Sequence, residues 1–274
     1  MFKLFKDSFK VTNDCIILAT PLIIFLSILG WYFTYTFNAV NTIPKLILAI
    51  ITSFIIVSGL LSAWLYMAKK TLALSKKVIL FDKDRAKELW ELVLSLPRGV
   101  GKLFMPVLGA VIIYIALFAS GISLITFLID NYIGAINFDI INIDSLFISS
   151  KELIEEINQL TDTELIAINC WYALVMIFST IISLLTILWV PELVYTEKNP
   201  IKALYNSVIK LFTTFPKSLL LFVYIAFLTI TISVLNTLLM IYPLAYFLVL
   251  ILYYYFLVYI IVLLFSYYEQ SFIK

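Results

Sequence analysis

Six basic side chains stand among apolar residues in two parts of the sequence, where they could bind anionic lipid headgroups. A lysine or arginine near a charged membrane surface gains about 1 kcal/mol from anionic lipid. The candidate headgroup contacts are Lys87, Arg98, Lys102, Lys202, Lys210 and Lys217. The partners that they predict are membrane lipids, chiefly anionic ones.

A second set of polar side chains interrupts otherwise apolar segments and could form an intramembrane polar face. Hydroxyls at helical spacing usually bond between neighbouring transmembrane helices, and a phenol in an apolar setting needs a hydrogen-bond partner. We favour helix packing, with the tyrosines bonded to the stripes of Ser and Thr hydroxyls on the fourth and fifth apolar segments; a site for a headgroup or small amphiphile is the alternative. The set comprises Ser179, Ser183, Thr229, Ser233, Asn236, Tyr255 and Tyr259.

Residue types that carry most enzyme chemistry are scarce. The sequence has no histidine, which removes the commonest general base and metal ligand. Its two cysteines, Cys15 and Cys170, fall at opposite ends of their segments and should not pair. The stretch 98–101 has two glycines but lacks the strand and spacing of a phosphate loop. We therefore predict no catalytic residue, cofactor, metal site or nucleic-acid partner.

The elements that must position these residues are transmembrane helices. Hydrophobic residues make up 63% of the 274 residues and charged ones 13%, which a water-soluble domain could not bury. About 20 apolar residues span a bilayer as a helix. We predict an all-α integral membrane protein, one polytopic domain over 1–274, with six transmembrane helices at about 15–37, 46–67, 103–129, 166–190, 219–241 and 244–265.

Charge orients the predicted helices. All basic residues except Lys45 and Lys151 fall on one side, whereas the loop 130–165 on the other side is acidic. Because lysine and arginine are retained in cytoplasmic loops, the N and C termini should be cytoplasmic and the protein should lie in the cell's inner, cytoplasmic membrane. A protein partner could bind at the cytoplasmic face.

The segment 199–215 predicts an amphipathic helix in the headgroup plane. Asn199 is a suitable N-cap and Pro200 a suitable first residue, and the chain should turn at Phe215–Pro216. Residues 86–96 show a similar pattern before a break at Pro97, Gly99 and Gly101, as does the N-terminus with its apolar Phe2, Phe5 and Phe9. Three repeats of an interfacial helix followed by a transmembrane hairpin would explain this. Each unit also ends with a tyrosine near a charged residue, for which interfacial enrichment of Tyr and Lys is the alternative explanation: Tyr66 near Lys69, Tyr195 near Glu197 and Tyr267 near Glu269.

Two local patterns of acidic residues can also be interpreted. Glu192 follows Pro191 near a membrane boundary and should have a structural role near Lys198 or Lys202. Capping boxes are predicted at Ser149 with Glu152, on a short helix of the acidic loop, and at Thr161 with Glu164, before the fourth transmembrane helix.

The stretch PELVYTEKNPIKALYNSVIKLFTTFPKSL, residues 191–219, resembles a group of prokaryotic six-helix membrane proteins. The group includes the membrane domain of some glycerophosphodiester phosphodiesterases and stand-alone YciC-type proteins of unknown function. The resemblance implies a membrane module near lipid metabolism without the hydrolase activity, since the sequence contains no phosphodiesterase domain. We expect a non-enzymatic protein that binds lipid or acts as a scaffold in envelope lipid homeostasis; the alternative is an uncoupled, flippase-like permease for a small amphiphile.

Overall fold

A computed structural model describes residues 1–75, 82–134 and 161–273, with only the backbone at 82–89 and 243. Within these residues the secondary structure is helical and no strand occurs. Six helical stretches are long and apolar enough to cross a membrane: Ile16–Ala39, Ile43–Ser75, Trp90–Tyr132, Asp162–Tyr195, Phe215–Leu239 and Leu244–Ile273. They overlap the six predicted runs, so the all-α membrane fold is confirmed.

The helices are numbered in chain order. Short turns join several of them, a 3-10 turn precedes α2, and a π-helical turn over Glu269–Ile273 follows α9. Their bounds are α1 Phe2–Asp14, α2 Ala19–Ala39, α3 Ile43–Ser75, α4 Asp82–Tyr132, α5 Asp162–Thr186, α6 Trp189–Tyr195, α7 Pro200–Thr213, α8 Phe215–Leu239 and α9 Pro243–Tyr268.

Two predicted helix starts are confirmed by their hydrogen bonds. The Asn199 side chain accepts from the backbone N–H of Ile201 at 3.1 Å and of Lys202 at 3.2 Å, and Pro200 is the first residue of α7. Before α5, the N–H of Thr161 donates to Glu164 at 2.9 Å, and the N–H of Glu164 donates back to the Thr161 hydroxyl at 3.4 Å. The capping box predicted at 149–152 lies outside the described residues.

The two predicted breaks at 97–101 and 215–216 have different outcomes. The second is confirmed, since α7 ends at Thr213 and α8 begins at Phe215. The first is wrong, because α4 continues through Pro97, Gly99 and Gly101.

Gly99 packs against α3 instead of ending a helix. A Cβ at this position would lie 2.8 Å from the Tyr66 Cβ and 2.9 Å from the Ser62 carbonyl oxygen. Glycine is needed where a backbone approaches this closely, and a helical residue can meet that need. Gly99, which the sequence predicts as a helix breaker, thus allows α4 to pack closely against α3.

The chain forms two compact units, Met1–Ile113 with Leu185–Lys274, and Tyr114–Leu184. The core of the first includes Trp64, whose indole N–H donates to the Leu18 carbonyl at 3.0 Å, and Trp189, which donates to the Pro200 carbonyl at 3.0 Å. In the second unit, the Trp171 indole donates to the Thr126 hydroxyl at 3.0 Å. All candidate sites except Ser179 and Ser183 lie in the first unit.

Both cysteines are free, as predicted. Cys15 is fully buried just before α2, and burial raises the pKa of its thiol to about 11. A thiol that stays protonated in the physiological range is a poor nucleophile.

Candidate functional site

Helix α7 presents three faces rather than the two of a simple amphipathic helix. One face is buried against protein and consists of Ala203, Ser207 and Leu211, spaced four residues apart. The opposite face is apolar but exposed, with Ile201 67% and Tyr205 68% accessible. A polar face that carries the exposed Lys202 lies between them.

The exposed apolar face of α7 also includes Ile209 and Phe212, which are 45% and 60% accessible. Helix α7 lies outside the six stretches able to span a membrane. Large apolar side chains in that position are suited to the boundary between headgroups and acyl chains, where an amphipathic helix buries one side in lipid. Lys202 is exposed on the polar face beside these side chains.

The candidate headgroup contacts divide into exposed and engaged side chains. Arg98, Lys102, Lys202 and Lys217 are exposed, whereas Lys210 is only partly accessible. The side chain of Lys87 lies outside the described residues. Headgroup contact by the exposed four is compatible with the structure.

Lys210 belongs to a buried polar cluster, which we call the Glu192 cluster: Glu192, Lys210, Tyr268 and Thr196. The Glu192 carboxylate is fully buried, and its Oε2 accepts from the Lys210 ammonium at 2.6 Å and from the Tyr268 hydroxyl. The ammonium also donates to the Tyr268 oxygen at 2.6 Å, and the Thr196 hydroxyl bonds to the same oxygen at 2.7 Å. Burial disfavours the charged ammonium, but its bonds to Glu192 and Tyr268 prevail and raise the pKa of Lys210.

The predicted partners of Glu192 are therefore wrong, since it pairs with Lys210 and not with Lys198 or Lys202. The reason is helical geometry. Lys210 lies seven residues after Ala203, about two turns, so its side chain leaves from the face of α7 that packs against α6. Lys202 points from a different face, and Lys198 precedes the helix.

Lys102 makes a different contact, with Tyr66 of α3. Its ammonium lies 3.3 Å from the Tyr66 hydroxyl and 5.3 Å from the ring centroid. The ammonium therefore lies at the hydroxyl end of the ring, where it donates to the phenol oxygen. Unlike Lys210, Lys102 is exposed and its described contacts include no carboxylate.

The predicted intramembrane polar face is built differently from what we expected. Ser179 donates to the Val175 carbonyl at 2.7 Å and Thr229 to the Ile225 carbonyl at 2.9 Å, so both hydroxyls are satisfied within their own helices. Ser183 is exposed on α5, and Ser233 and Asn236 are exposed on α8. Among the described residues, none of these serine and threonine hydroxyls forms a hydrogen bond to another helix.

Tyr255 and Tyr259 bond to other groups than the predicted hydroxyls. Tyr255 donates to the Asn13 side-chain oxygen at 2.8 Å. The Tyr259 hydroxyl lies 3.1 Å from that of Tyr224 and donates to the Phe5 carbonyl at 3.4 Å. The prediction that these tyrosines bond to the Ser and Thr residues of the fourth and fifth segments is wrong.

Helix α1 is the element that covers the two tyrosines, because it packs along α9. Its buried face consists of Leu4, Ser8 and Thr12, whereas Phe2 is 88% exposed. The signal for this packing is the small-residue spacing of Ser8 and Thr12, which permits close helix approach and which the more conspicuous phenylalanine pattern obscures.

No three His, Cys, Asp or Glu side chains among the described residues are grouped so that they could hold a metal ion. The candidate sites consist instead of lysines, tyrosine hydroxyls and exposed apolar helix faces. Comparison with known proteins found no matching family model, curated protein or solved structure.

Proposed function

We propose that this is a non-enzymatic integral membrane protein that binds anionic lipid headgroups through the lysines around α7, as a lipid-binding or scaffolding module in envelope lipid homeostasis. The observation that carries the proposal is the exposed apolar face of α7 beside Lys202. Lys217, which is also exposed, follows at the start of α8 and adds a second cation.

Each of the three faces of α7 would have different surroundings in the membrane. The buried face is covered by protein, the apolar face would be covered by lipid, and the lysine-bearing face would meet phosphate oxygens. The distribution of basic residues along the sequence supports an inner-membrane location with both termini cytoplasmic. A protein partner at that same face is part of the proposal.

An uncoupled path for an amphiphile is the second function that the sequence predicts. It would use the tyrosines of α9, but the Tyr255 and Tyr259 hydroxyls are engaged by α1 and Tyr224. The contacts of the described residues therefore favour lipid binding over transport.

Lipid binding by the purified protein tests the proposal. Phosphatidylglycerol and phosphatidylcholine would be titrated onto wild type and onto K202Q/K217Q, with bound lipid counted by native mass spectrometry. We expect selective binding of phosphatidylglycerol and, at about 1 kcal/mol per lysine, a loss of roughly thirtyfold in the double variant. The matched control is Lys45→Gln, which removes an exposed lysine that the sequence assigns to the other side of the membrane. Equal affinity in wild type and K202Q/K217Q would contradict the proposal.

A further inference from the structure

Two lysines lie near Tyr66 where α4 crosses α3. The Lys102 ammonium is 5.3 Å and the Lys70 ammonium 5.8 Å from the centroid of the Tyr66 ring. Lys70 comes from α3 and Lys102 from α4, so two helices direct cations at the same phenol. We call Tyr66, Lys70 and Lys102, together with Arg98, the Tyr66 site.

Arg98 joins this site because of its position on α4. It precedes Lys102 by four residues, so the two side chains lie on neighbouring turns of the same helix face. Both are exposed, and the guanidinium can donate two parallel hydrogen bonds to a phosphate.

More positive charge lies close by. The Lys69 ammonium donates to the Val194 carbonyl at 2.9 Å and lies 4.5 Å from the Tyr195 ring centroid. A third lysine therefore lies on the turn of α3 that carries Tyr66 and Lys70.

Close backbone packing holds the Tyr66 site together. The Gly99 position lies so near α3 that a Cβ there would be 3.0 Å from the Ala63 Cα. This contact places Arg98 and Lys102, on either side of Gly99, against the turn that carries Tyr66. Like charges brought together in this way repel one another unless an anion lies among them.

We propose that the Tyr66 site binds the phosphate of a phosphomonoester lipid headgroup, in preference to a phosphodiester headgroup. Tyr66 accepts from Lys102 and keeps its own O–H proton to donate to a phosphate oxygen. Several cations around one phenol favour a ligand whose single phosphate carries close to two negative charges, and a phosphodiester carries one. The inference rests on the proposed lipid binding and adds the headgroup class.

Competition between two lipids tests this inference. Phosphatidic acid and phosphatidylglycerol would be titrated onto purified full-length protein, and the ratio of their affinities would be compared among wild type, K70Q/K102Q and K202Q/K217Q. We expect K70Q/K102Q to bind phosphatidic acid about tenfold or more weakly than wild type does. It should also lose much of the preference for phosphatidic acid over phosphatidylglycerol. K202Q/K217Q should bind both lipids more weakly and keep the wild-type ratio of the two affinities.

The possible failures are distinguishable. If K70Q/K102Q weakens both lipids equally, the lysines act only as surface charge, and the headgroup assignment is overturned while general anionic-lipid binding stands. If wild type binds neither lipid, the proposed function itself fails. If inorganic phosphate displaces phosphatidic acid with comparable affinity, the ligand is soluble phosphate and the lipid assignment is overturned.

A geometric variant tests the site without removing charge. Gly99→Ala should move Lys102 away from Tyr66, because the new Cβ would meet the backbone of α3, and it should reduce the preference for phosphatidic acid. Gly101→Ala, where a Cβ would meet nothing within 4 Å, should keep the preference. Tyr66→Phe, which retains the ring, should reduce the preference even if Gly99→Ala does not fold. If both Tyr66→Phe and K70Q/K102Q, measured as separate variants, kept the wild-type preference for phosphatidic acid, the inference would be overturned.

Discussion

The Glu192 cluster and the Tyr66 site use the same pair of side chains for different purposes. In each, a lysine ammonium donates to a tyrosine hydroxyl, at 2.6 Å from Lys210 to Tyr268 and at 3.3 Å from Lys102 to Tyr66. Glu192 neutralises the first lysine, whereas the described contacts of the second include no carboxylate. In the first region a carboxylate of the protein faces the lysine, although the Glu192 Oε1 accepts no described hydrogen bond, and in the second the lysine is exposed.

Burial explains the difference between the two regions. Glu192 is fully buried, and an ionised carboxylate removed from water requires a cation and hydrogen bonds. Lys102 is exposed, so water or headgroups can solvate its charge. A lysine–tyrosine contact therefore does not by itself reveal a binding site; the accessibility of the charge and the position of the nearest carboxylate decide.

Lys210→Met should have the largest effect on stability. The substitution leaves the buried Glu192 carboxylate without its cation, which typically costs about 3–5 kcal/mol. Thermal unfolding of the purified variant in detergent, followed by size-exclusion chromatography, would measure the loss. The double variant K210M/E192Q, which removes both charges, should recover part of it. A stability equal to that of wild type in Lys210→Met would show that the pair does not hold α6, α7 and α9 together.

Gly99→Ala and Gly101→Ala should change stability in opposite directions. At Gly99 the added methyl meets backbone atoms of α3, and such overpacking typically costs about 1–3 kcal/mol. At Gly101 the methyl has open space, and replacing glycine by alanine inside a helix gains up to about 1 kcal/mol. The same chromatographic unfolding assay would rank the two variants. Equal stabilities would mean that the contact between α3 and α4 at Tyr66 is loose.

The parts of the fold that could be predicted from sequence depend on local chemistry. Six apolar runs give six candidate transmembrane helices, and Asn199 and Thr161 cap helices through hydrogen bonds to residues two or three positions away. The continuity of α4 could not be predicted this way. Pro97 and Gly99 are breakers by local rules, but Gly99 is explained by a contact with Ser62 and Tyr66, which lie more than thirty positions earlier in the chain.

The sites were predicted in part for a related reason. The sequence predicts Lys210 and Lys202 as headgroup contacts of the same kind, because an amphipathic pattern distinguishes two faces and α7 has three. The partner of Tyr255 is Asn13, 242 positions away, and a polar stripe in the sequence does not specify which helix will cover it. The sequence predicts Lys102 as a candidate headgroup contact, but its bond to Tyr66 depends on the crossing of α3 and α4.

Lys102→Met should have the smallest effect on stability and so sharpen the contrast with Lys210. Exposed charge contacts contribute about 0–1 kcal/mol, and this lysine leaves no buried carboxylate behind among the described residues. In the same unfolding assay it should therefore behave almost as wild type, while its affinity for phosphatidic acid falls. The combination separates binding from folding at one residue. A stability loss as large as that of Lys210→Met would show that Lys102 holds α4 against α3, and the two regions would then share one structural role.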